Sequence, residues 1–424
     1  MRKIVYEQLK PEFFNYATYE DLPHIQKIIA EVKVKGDNAL KKYTWKFDRV
    51  QVREFKIEKD DIKRSFSSVS KELIYSMERV AESLRKFSKR QLKEFKDFEY
   101  EVEPGIFVGQ RVVPLRRVGV YVPGGRYPLI SSLIMAIIPA KIAGVNEIVV
   151  CSPPNKEGSI RHEILAAADV CEVDEIYCVG GVQAIAAMAY GTQSIKKVDK
   201  IVGPGNRYVN AAKKLVYGQV GIDFIAGPTE LLIIADKEAN SSFIAADLIA
   251  QAEHDQNAKP MLVTDSNELA DSVMKEIIKQ LRGLKTAAVA KQSLEQNGIF
   301  LVVKSLEEAV EFANQRSPEH LQLDIKNPDS YIPKLKNYGS IFIGKYSSEV
   351  LGDYSCGLNH ILPTNYASRY TGGLSVKDFI KILALLKVDK NSIQEIGLTA
   401  QCIAQAEGLE GHVNSVALRM RNIT

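Results

Sequence analysis

The stretch Glu147-Ile-Val-Val-Cys151, followed by Ile160–Ala168 and then by Glu175-Ile-Tyr-Cys-Val179, decides the fold class. The two short runs are apolar, carry β-branched residues and read as buried strands. The segment between them has apolar residues at helical spacing. Strand, helix, strand in close succession is a crossover, and a crossover joins parallel strands. Outward from this unit the alternation continues. Strands are expected at Lys200–Val202, Asp223–Ala226 and Leu231–Ala235, with helices at Ser131–Ala143, Ala184–Tyr190 and Arg207–Tyr217. After a helix that begins near Ser241 the pattern restarts, with strands at Met261–Thr264, Ile299–Val303 and Ser340–Ile343 and a helix at Leu306–Asn314.

The expectation is therefore an α/β protein with two Rossmann-like parallel-sheet domains and helical N-terminal and C-terminal segments. The division expected is 1–105, a helical segment able to pack into the second α/β domain; 106–235, the first α/β domain; 236–373, the second; and 374–424, helical again. Residues 20–98 read as charged helices, with Gly36-Asp37 a turn between two of them. The chain then turns β-rich, at Ile106-Phe-Val, Val112-Val113 and Val118–Val122. A long irregular stretch, 345–373, interrupts the second unit, and loops of that length are usually functional.

Composition narrows the class. The 424 residues are 46% hydrophobic and 25% charged, so the chain reads as globular with about two to four domains. The net charge of +4 is spread over helices and forms no nucleic-acid patch. The most apolar run, Leu129–Val145, is broken by Ser131, Ser132, Pro139 and Lys141 and does not span a membrane. Five scattered cysteines with no CxxC pair, and no signal-peptide core, point to the cytoplasm.

Several polar islands carry chemistry. In Ser241–Asp255 the serine hydroxyls can cap a helix, and Gln251 and His254 fall on one face at its end. This is either a polar helix tip or part of a metal site. In Arg316-Ser-Pro-Glu319-His320, a regular strand would send Glu319 and His320 to opposite faces. Only irregular backbone would aim both at one place, as base and water-activating carboxylate. Four of the six histidines, 254, 320, 360 and 412, lie in such islands; His24 and His162 read as structural. His254 and His412 with Gln251 and Asp353 make an N/O donor set suited to a borderline divalent cation that leaves room for substrate. Three glycine-bearing loops, Tyr121–Gly125, Val179–Gln183 and Val202–Asn206, follow strands and lead into helices. They are either ordinary turns or the phosphate-facing rim of a dinucleotide crevice, with Tyr121, Gln183 and Asn206 beside it.

Taken in order, several stretches resemble histidinol dehydrogenases over nearly the whole chain. They include Val120-Tyr-Val-Pro-Gly-Gly125, Gly180-Gly-Val-Gln-Ala-Ile185, Gly203-Pro-Gly-Asn-Arg-Tyr-Val209 and Gly227-Pro-Thr-Glu230. Further on come Gln251-Ala-Glu-His254, Ser317-Pro-Glu-His-Leu321, Asn359-His-Ile-Leu-Pro-Thr364 and Glu407-Gly-Leu-Glu-Gly-His412. The resemblance implies one Zn2+ per subunit on Gln251, His254, Asp353 and His412, and NAD at Tyr121, Gln183 and Asn206. It implies catalysis by Glu319 and His320, and substrate contacts from Thr229 and Glu407 together with Gln251, His254, His320, Asp353 and His412. It also implies a homodimer whose C-terminal segment completes the partner's site, and oxidation of L-histidinol through L-histidinal to L-histidine.

Thr229 stands where that family usually has serine, which keeps the hydroxyl. Cys356 stands where a small residue is usual, and the expectation is a packing residue rather than a thiolate nucleophile. Two rivals stay open on sequence alone: a dehydrogenase for another zinc-chelated alcohol, such as a sulfonated diol, and a non-catalytic metal- or nucleotide-binding protein.

Overall fold

The computed structural model describes residues 1–9, 11–14, 22–124 and 128–421. Gly125 and Arg126 of the first glycine loop, and residues 20 and 21, lie outside the described residues. The strands in chain order are β1 (Arg2–Val5), β2 (Phe98–Glu103), β3 (Ile106–Pro114), β4 (Arg117–Tyr121), β5 (Glu147–Ser152), β6 (Glu175–Cys178) and β7 (Lys200–Val202). They continue with β8 (Gly221–Ile222), β9 (Glu230–Ala235), β10 (Lys259–Thr264), β11 (Ile299–Val302), β12 (His320–Asp324), β13 (Ser340–Ile343) and β14 (Ile380–Val388).

Two parallel sheets form, in the orders β6-β5-β4-β7-β8 and β1-β11-β10-β9-β12-β13. Counted from β4 in the first and β9 in the second, both run 3-2-1-4-5, the doubly wound order, and β1 is added at the outer edge of the second. Their central strands are buried on both faces; β4, β9 and β12 have no exposed position. That is why they read as continuous apolar runs and not as alternating ones. The apolar run at Leu129–Val145 becomes the helix Ile130–Ala143, buried nearly all round inside the first core. No described helix is long and apolar enough to cross a membrane.

The N-terminal helices Pro23–Lys35, Asp37–Asp48 and Lys71–Leu92 pack into the first unit, not the second. Ile25, Val32, Leu40, Met77 and Leu84 belong to the core of the first sheet. Only β1 joins the second sheet, in register Arg2↔Ile299 to Val5↔Val302. Gly36, at φ +53°, makes the turn between the first two helices, as expected.

The expected boundary at 235 fails, because β9 pairs with β10 and β12 and belongs to the second sheet. Three further expectations fail. Asp223–Ala226 is not a strand; β8 covers only Gly221–Ile222. The C-terminal segment is not all helix, because β14 pairs antiparallel with β3 from Ile380↔Pro114 to Val388↔Ile106. Ile-Lys-Ile-Leu-Ala-Leu-Leu-Lys-Val suits either state locally, and the partner strand decides it. Helices Ile393–Ala406 and Glu410–Arg421 follow. Third, the helix Ser241–Ala252 is capped by Asn240, whose side chain accepts from the N–H groups of Ser242 and Phe243, and not by its serine hydroxyls.

Candidate active site

The polar islands meet at the amino edge of the second sheet, where β9 begins at Glu230 and β12 at His320. Helix Leu306–Arg316 ends on Ser317, held at φ +49°. Ser368 Oγ donates to the Ser317 carbonyl (2.6 Å), and the Gly339 and Ser340 N–H groups donate to the carbonyls of Pro318 and Glu319 (both 3.0 Å). Glu319 thus sits just before the regular ladder. Its Oε2 accepts from Thr229 Oγ1 (2.6 Å) and from the Glu230 N–H (2.9 Å) and stands 3.6 Å from His320 Nδ1. The irregular entry that the sequence required is present, and both side chains face one centre. His320 Nδ1 also lies 3.1 Å from the Glu230 carbonyl.

The irregular stretch 345–373 contains a short helix, Glu349–Tyr354. Glu349 and Asp353, one turn apart, both face the imidazole: Glu349 Oε1 is 3.6 Å from Nδ1 and Asp353 Oδ1 is 3.6 Å from Nε2. Sequence reasoning missed Glu349, because the spacing signals a shared face only once a helix is assumed. It also missed the support under the site. Glu230 is fully buried, paired with Arg316 and 3.9 Å from Lys259. The rest of the loop stitches the site to the first unit. Asn359 Nδ2 donates to the Met135 carbonyl (2.7 Å), Thr364 Oγ1 accepts from the Gly227 N–H, and His360 spans Ser132 Oγ (3.0 Å) and the Asp353 carbonyl (3.1 Å).

The electrostatics call for a cation. Burial pushes Glu319 up to about 7 and Glu349 up to about 8. Burial disfavours charge on His320, yet Glu349, Glu319 and Asp353 together hold its pKa well above the usual value. Burial raises Asp353, but the His320 imidazole 3.6 Å away outweighs this and leaves it low. His254, on the turn after Gln251, keeps exposed surface; the protein crowded round its ring pulls its pKa down, against Asp353, so it is a neutral donor. The Gln251 amide lies between Thr229 Oγ1 and Glu349 Oε1, 2.8 Å from each. With its oxygen toward Glu349 two acceptors face each other, which a proton or cation must reconcile; with its nitrogen there, the amide donates to Glu349 and its oxygen accepts from the Glu230 N–H, but it then competes with Glu319 for the one Thr229 hydroxyl proton. His320 Nε2 and Glu349 Oε2 are buried without a hydrogen-bond partner, and His320, Glu349 and Asp353 offer ligand atoms within 4.8 Å of one another. The donor set and its excess of acceptors fit a divalent cation.

Of the expected ligands, the structure brings Gln251 and Asp353 together, with Thr229, Glu319 and His320; His254 lies near enough for the charge of Asp353 to act on it but makes no hydrogen bond or ion pair to the cluster among the described residues. The structure does not bring in Glu407 or His412. Both are exposed on the C-terminal helical pair, with no hydrogen bond or ion pair to the cluster among the described residues. Cys356 is exposed, so the packing role expected of it is wrong; it lies outside the buried cluster as well.

The three glycine loops lie at the carboxyl end of the first sheet, where the order reverses between β4 and β7. The buried Tyr121 hydroxyl accepts from the Gly181 N–H (3.0 Å) at the start of helix Gly181–Tyr190. Gln183, on that first turn, is buried with Oε1 unpartnered. Asn206 caps helix Arg207–Val216 through Oδ1, which accepts from the N–H groups of Tyr208 (3.0 Å) and Val209 (3.1 Å), so only its NH2 is left as a donor. Gly203, at φ +112°, lets the loop close on the Tyr121 carbonyl, where a Cβ would collide. A buried Lys213–Asp223 pair grips the same peptide: Lys213 Nζ donates to the Gly203 carbonyl (3.0 Å), and Asp223 Oδ2 accepts from its N–H (2.8 Å).

The histidinol dehydrogenase family model matches residues 15–420. The chain is 45% identical over 408 residues to histidinol dehydrogenase of Methanocaldococcus jannaschii, covering 96% of this chain and 94% of that protein. It is 44% identical to that of Clostridium acetobutylicum, covering 95% and 93%. The crystal structure of histidinol dehydrogenase from Elizabethkingia anophelis superposes with a TM-score of 0.94 at 36% identity, over 100% of this chain and 98% of that one. With the family model spanning nearly the full length and relatives this similar over almost every residue, the chain belongs to the histidinol dehydrogenase family.

Proposed function

We propose that the protein oxidises L-histidinol to L-histidine in two NAD-linked steps, with L-histidinal held between them and one zinc per subunit. The observation that carries this is the convergence of Gln251, Asp353, Thr229, Glu319 and His320 on one buried centre. Gln251, His254, Asp353 and His412 of the partner subunit would hold the zinc. When bound, zinc supplies a redox-inert Lewis acid. NAD, held at Tyr121, Gln183 and Asn206, supplies the hydride acceptor.

The chain's own groups handle the protons. With Asp353 engaged as a metal ligand, its hold on the imidazole charge would weaken and the Nε2 lone pair would come free; the Glu230 carbonyl, 3.1 Å from Nδ1, takes the Nδ1 proton of that neutral tautomer. Nε2 accepts the alcohol proton as the carbinol carbon loses hydride, giving aldehyde, NADH and a proton. Glu319 holds one oxygen in bonds from Thr229 and Glu230, while its other oxygen accepts none among the described residues. That free oxygen takes a proton from the water that adds to the aldehyde, and the hydrate then loses a second hydride to a second NAD, giving the acid. Thr229 and Gln251 orient Glu319, and Glu407 of the partner subunit would meet the substrate.

Glu407 and His412 reach no site in their own chain, and the exposed Leu383, Leu386, Leu398 and Ile403 on the same segment favour a homodimer that carries them across. Work in the cytoplasm belongs to the same reading. The test is NADH formation by purified protein with histidinol. About two NADH per histidinol are expected, with loss on chelation and recovery with zinc. A stoichiometry of one, or activity indifferent to full metal removal, would refute the reading.

A further inference from the structure

Asp247 lies one turn before Gln251 on the helix Ser241–Ala252, and nothing described above uses it. Its carboxylate reaches two other elements. Oδ2 accepts from Gln322 Nε2 (2.8 Å), and Oδ1 accepts from Ser348 Oγ (2.8 Å). Gln322 stands two positions after His320 on β12, hence on the same face of that strand. Ser348 immediately precedes the short helix Glu349–Tyr354. One carboxylate thus joins the three elements that carry Gln251, His320 and Asp353.

Two local costs mark this joint. Ser348 sits at the N-cap of its helix, yet its hydroxyl bonds none of the free N–H groups there and is turned to Asp247. A serine in that position ordinarily stabilises its own helix. Gln322, 2% exposed, gives its amide N–H to Asp247 and leaves Oε1 buried without a hydrogen-bond partner. A carboxylate only accepts, so Asp247 dictates that orientation. The short helix depends on such ties, because six residues do not hold a helix unaided. His360 Nδ1 meets the Asp353 carbonyl (3.1 Å) at its far end, and Asp247 holds the near end. Gln251 and Asp353 come from different helices, so the gap between them is set by what joins those helices.

We propose that Asp247 is a positioning residue for the metal ligands: it fixes the helix bearing Gln251 at the spacing from the helix bearing Asp353 that a divalent cation requires. This rests on reading Gln251 and Asp353 as zinc ligands. The test is the zinc affinity of the full-length protein, measured after metal removal by competition with a chromophoric chelator. Asp247→Ala should bind zinc about 10–100-fold more weakly. Asp247→Asn should stay within about threefold of wild type, because its amide can accept from Gln322 and donate to Ser348 Oγ. Ser348→Ala, which cuts one of the two bonds, should fall between them. Asp353→Ala, which removes a ligand, is the control and should bind about 100-fold more weakly or worse. If Asp247→Ala binds zinc as the wild type does while Asp353→Ala does not, the role of Asp247 is overturned and the centre stands. If Asp353→Ala also binds normally, the zinc reading fails with it. If the asparagine and alanine variants weaken binding equally, the lost charge and not the joint is responsible, and the proposal is wrong. Should Asp247→Ala not fold, unchanged affinity in Ser348→Ala overturns the proposal.

Discussion

Three carboxyl groups, Glu319, Glu349 and Asp353, each stand 3.6 Å from one imidazole, that of His320. Their division of labour predicts that two substitutions separate the half-reactions. His320→Asn should lower turnover of histidinol by about 10²–10⁴-fold, while Glu319→Gln should act mainly on histidinal, fed directly and followed by NADH formation. Equal loss of both steps in both variants would merge the two roles. Asp48 gives a second prediction at this scale. Burial lifts its carboxyl from 3.8 to about 6, so the folded state holds that proton more tightly than the unfolded chain. Below pH 4 both states are protonated and nothing is lost; the penalty grows through pH 4–6 and is complete above. Asp48→Asn should therefore raise the melting temperature by roughly 1–3 °C at pH 8 and leave it unchanged at pH 4, read by calorimetry. The Glu319-His320 pair was legible in sequence because proline and a polar pair break a strand pattern. Glu349 was not, since nothing local distinguishes it from a solvated acid.

Among elements, the alternation of strand and helix gave both parallel sheets, because residues buried on two faces must be apolar throughout. Pairing between distant segments was beyond it. β14 reads locally as helix and becomes a strand only against β3. The position of the site was hidden as well. Doubly wound sheets bind ligands at their carboxyl ends, and the first sheet's glycine loops follow that rule. The catalytic cluster instead lies at the amino edge of the second sheet. The element most exposed to a single change is the loop at Gly203, gripped from both sides by Lys213 and Asp223. Each of these side chains has 1% of its surface exposed. Lys213→Met leaves a buried aspartate without its cation and should cost about 3–5 kcal/mol in chemical denaturation. The double variant Lys213→Met/Asp223→Leu should recover most of that. If the double is as unstable as the single, the cost lies in the Gly203 bonds and not in the lone charge.

For the whole molecule, the site is assembled from distant pieces, and the two residues proposed to complete it, Glu407 and His412, are exposed in the single chain. A homodimer that donates them across makes a specific prediction. Inactive His320→Asn protein, mixed with inactive His412→Asn protein under conditions that exchange subunits, should regain about a quarter of wild-type activity. Half the dimers would then be mixed, each with one intact and one doubly damaged centre. No recovery despite proven exchange would mean that His320 and His412 of one chain serve the same centre, and would overturn the exchange of segments. Light scattering should find the dimer, and removal of residues 389–424 should weaken it.

The outermost strand of the second sheet, β1, carries a further consequence. Its hydrogen-bonding partner, β11, lies nearly three hundred residues later in the chain. On a ribosome adding about 5–20 residues per second, that edge waits roughly 15–60 s for its template. The N-terminal helices can settle on the first unit during this delay, while residues 2–5 stay open to any other strand edge nearby. A bulky fusion placed ahead of Arg2 would therefore burden maturation of the second unit, and holdase chaperones would meet this protein at its leading end.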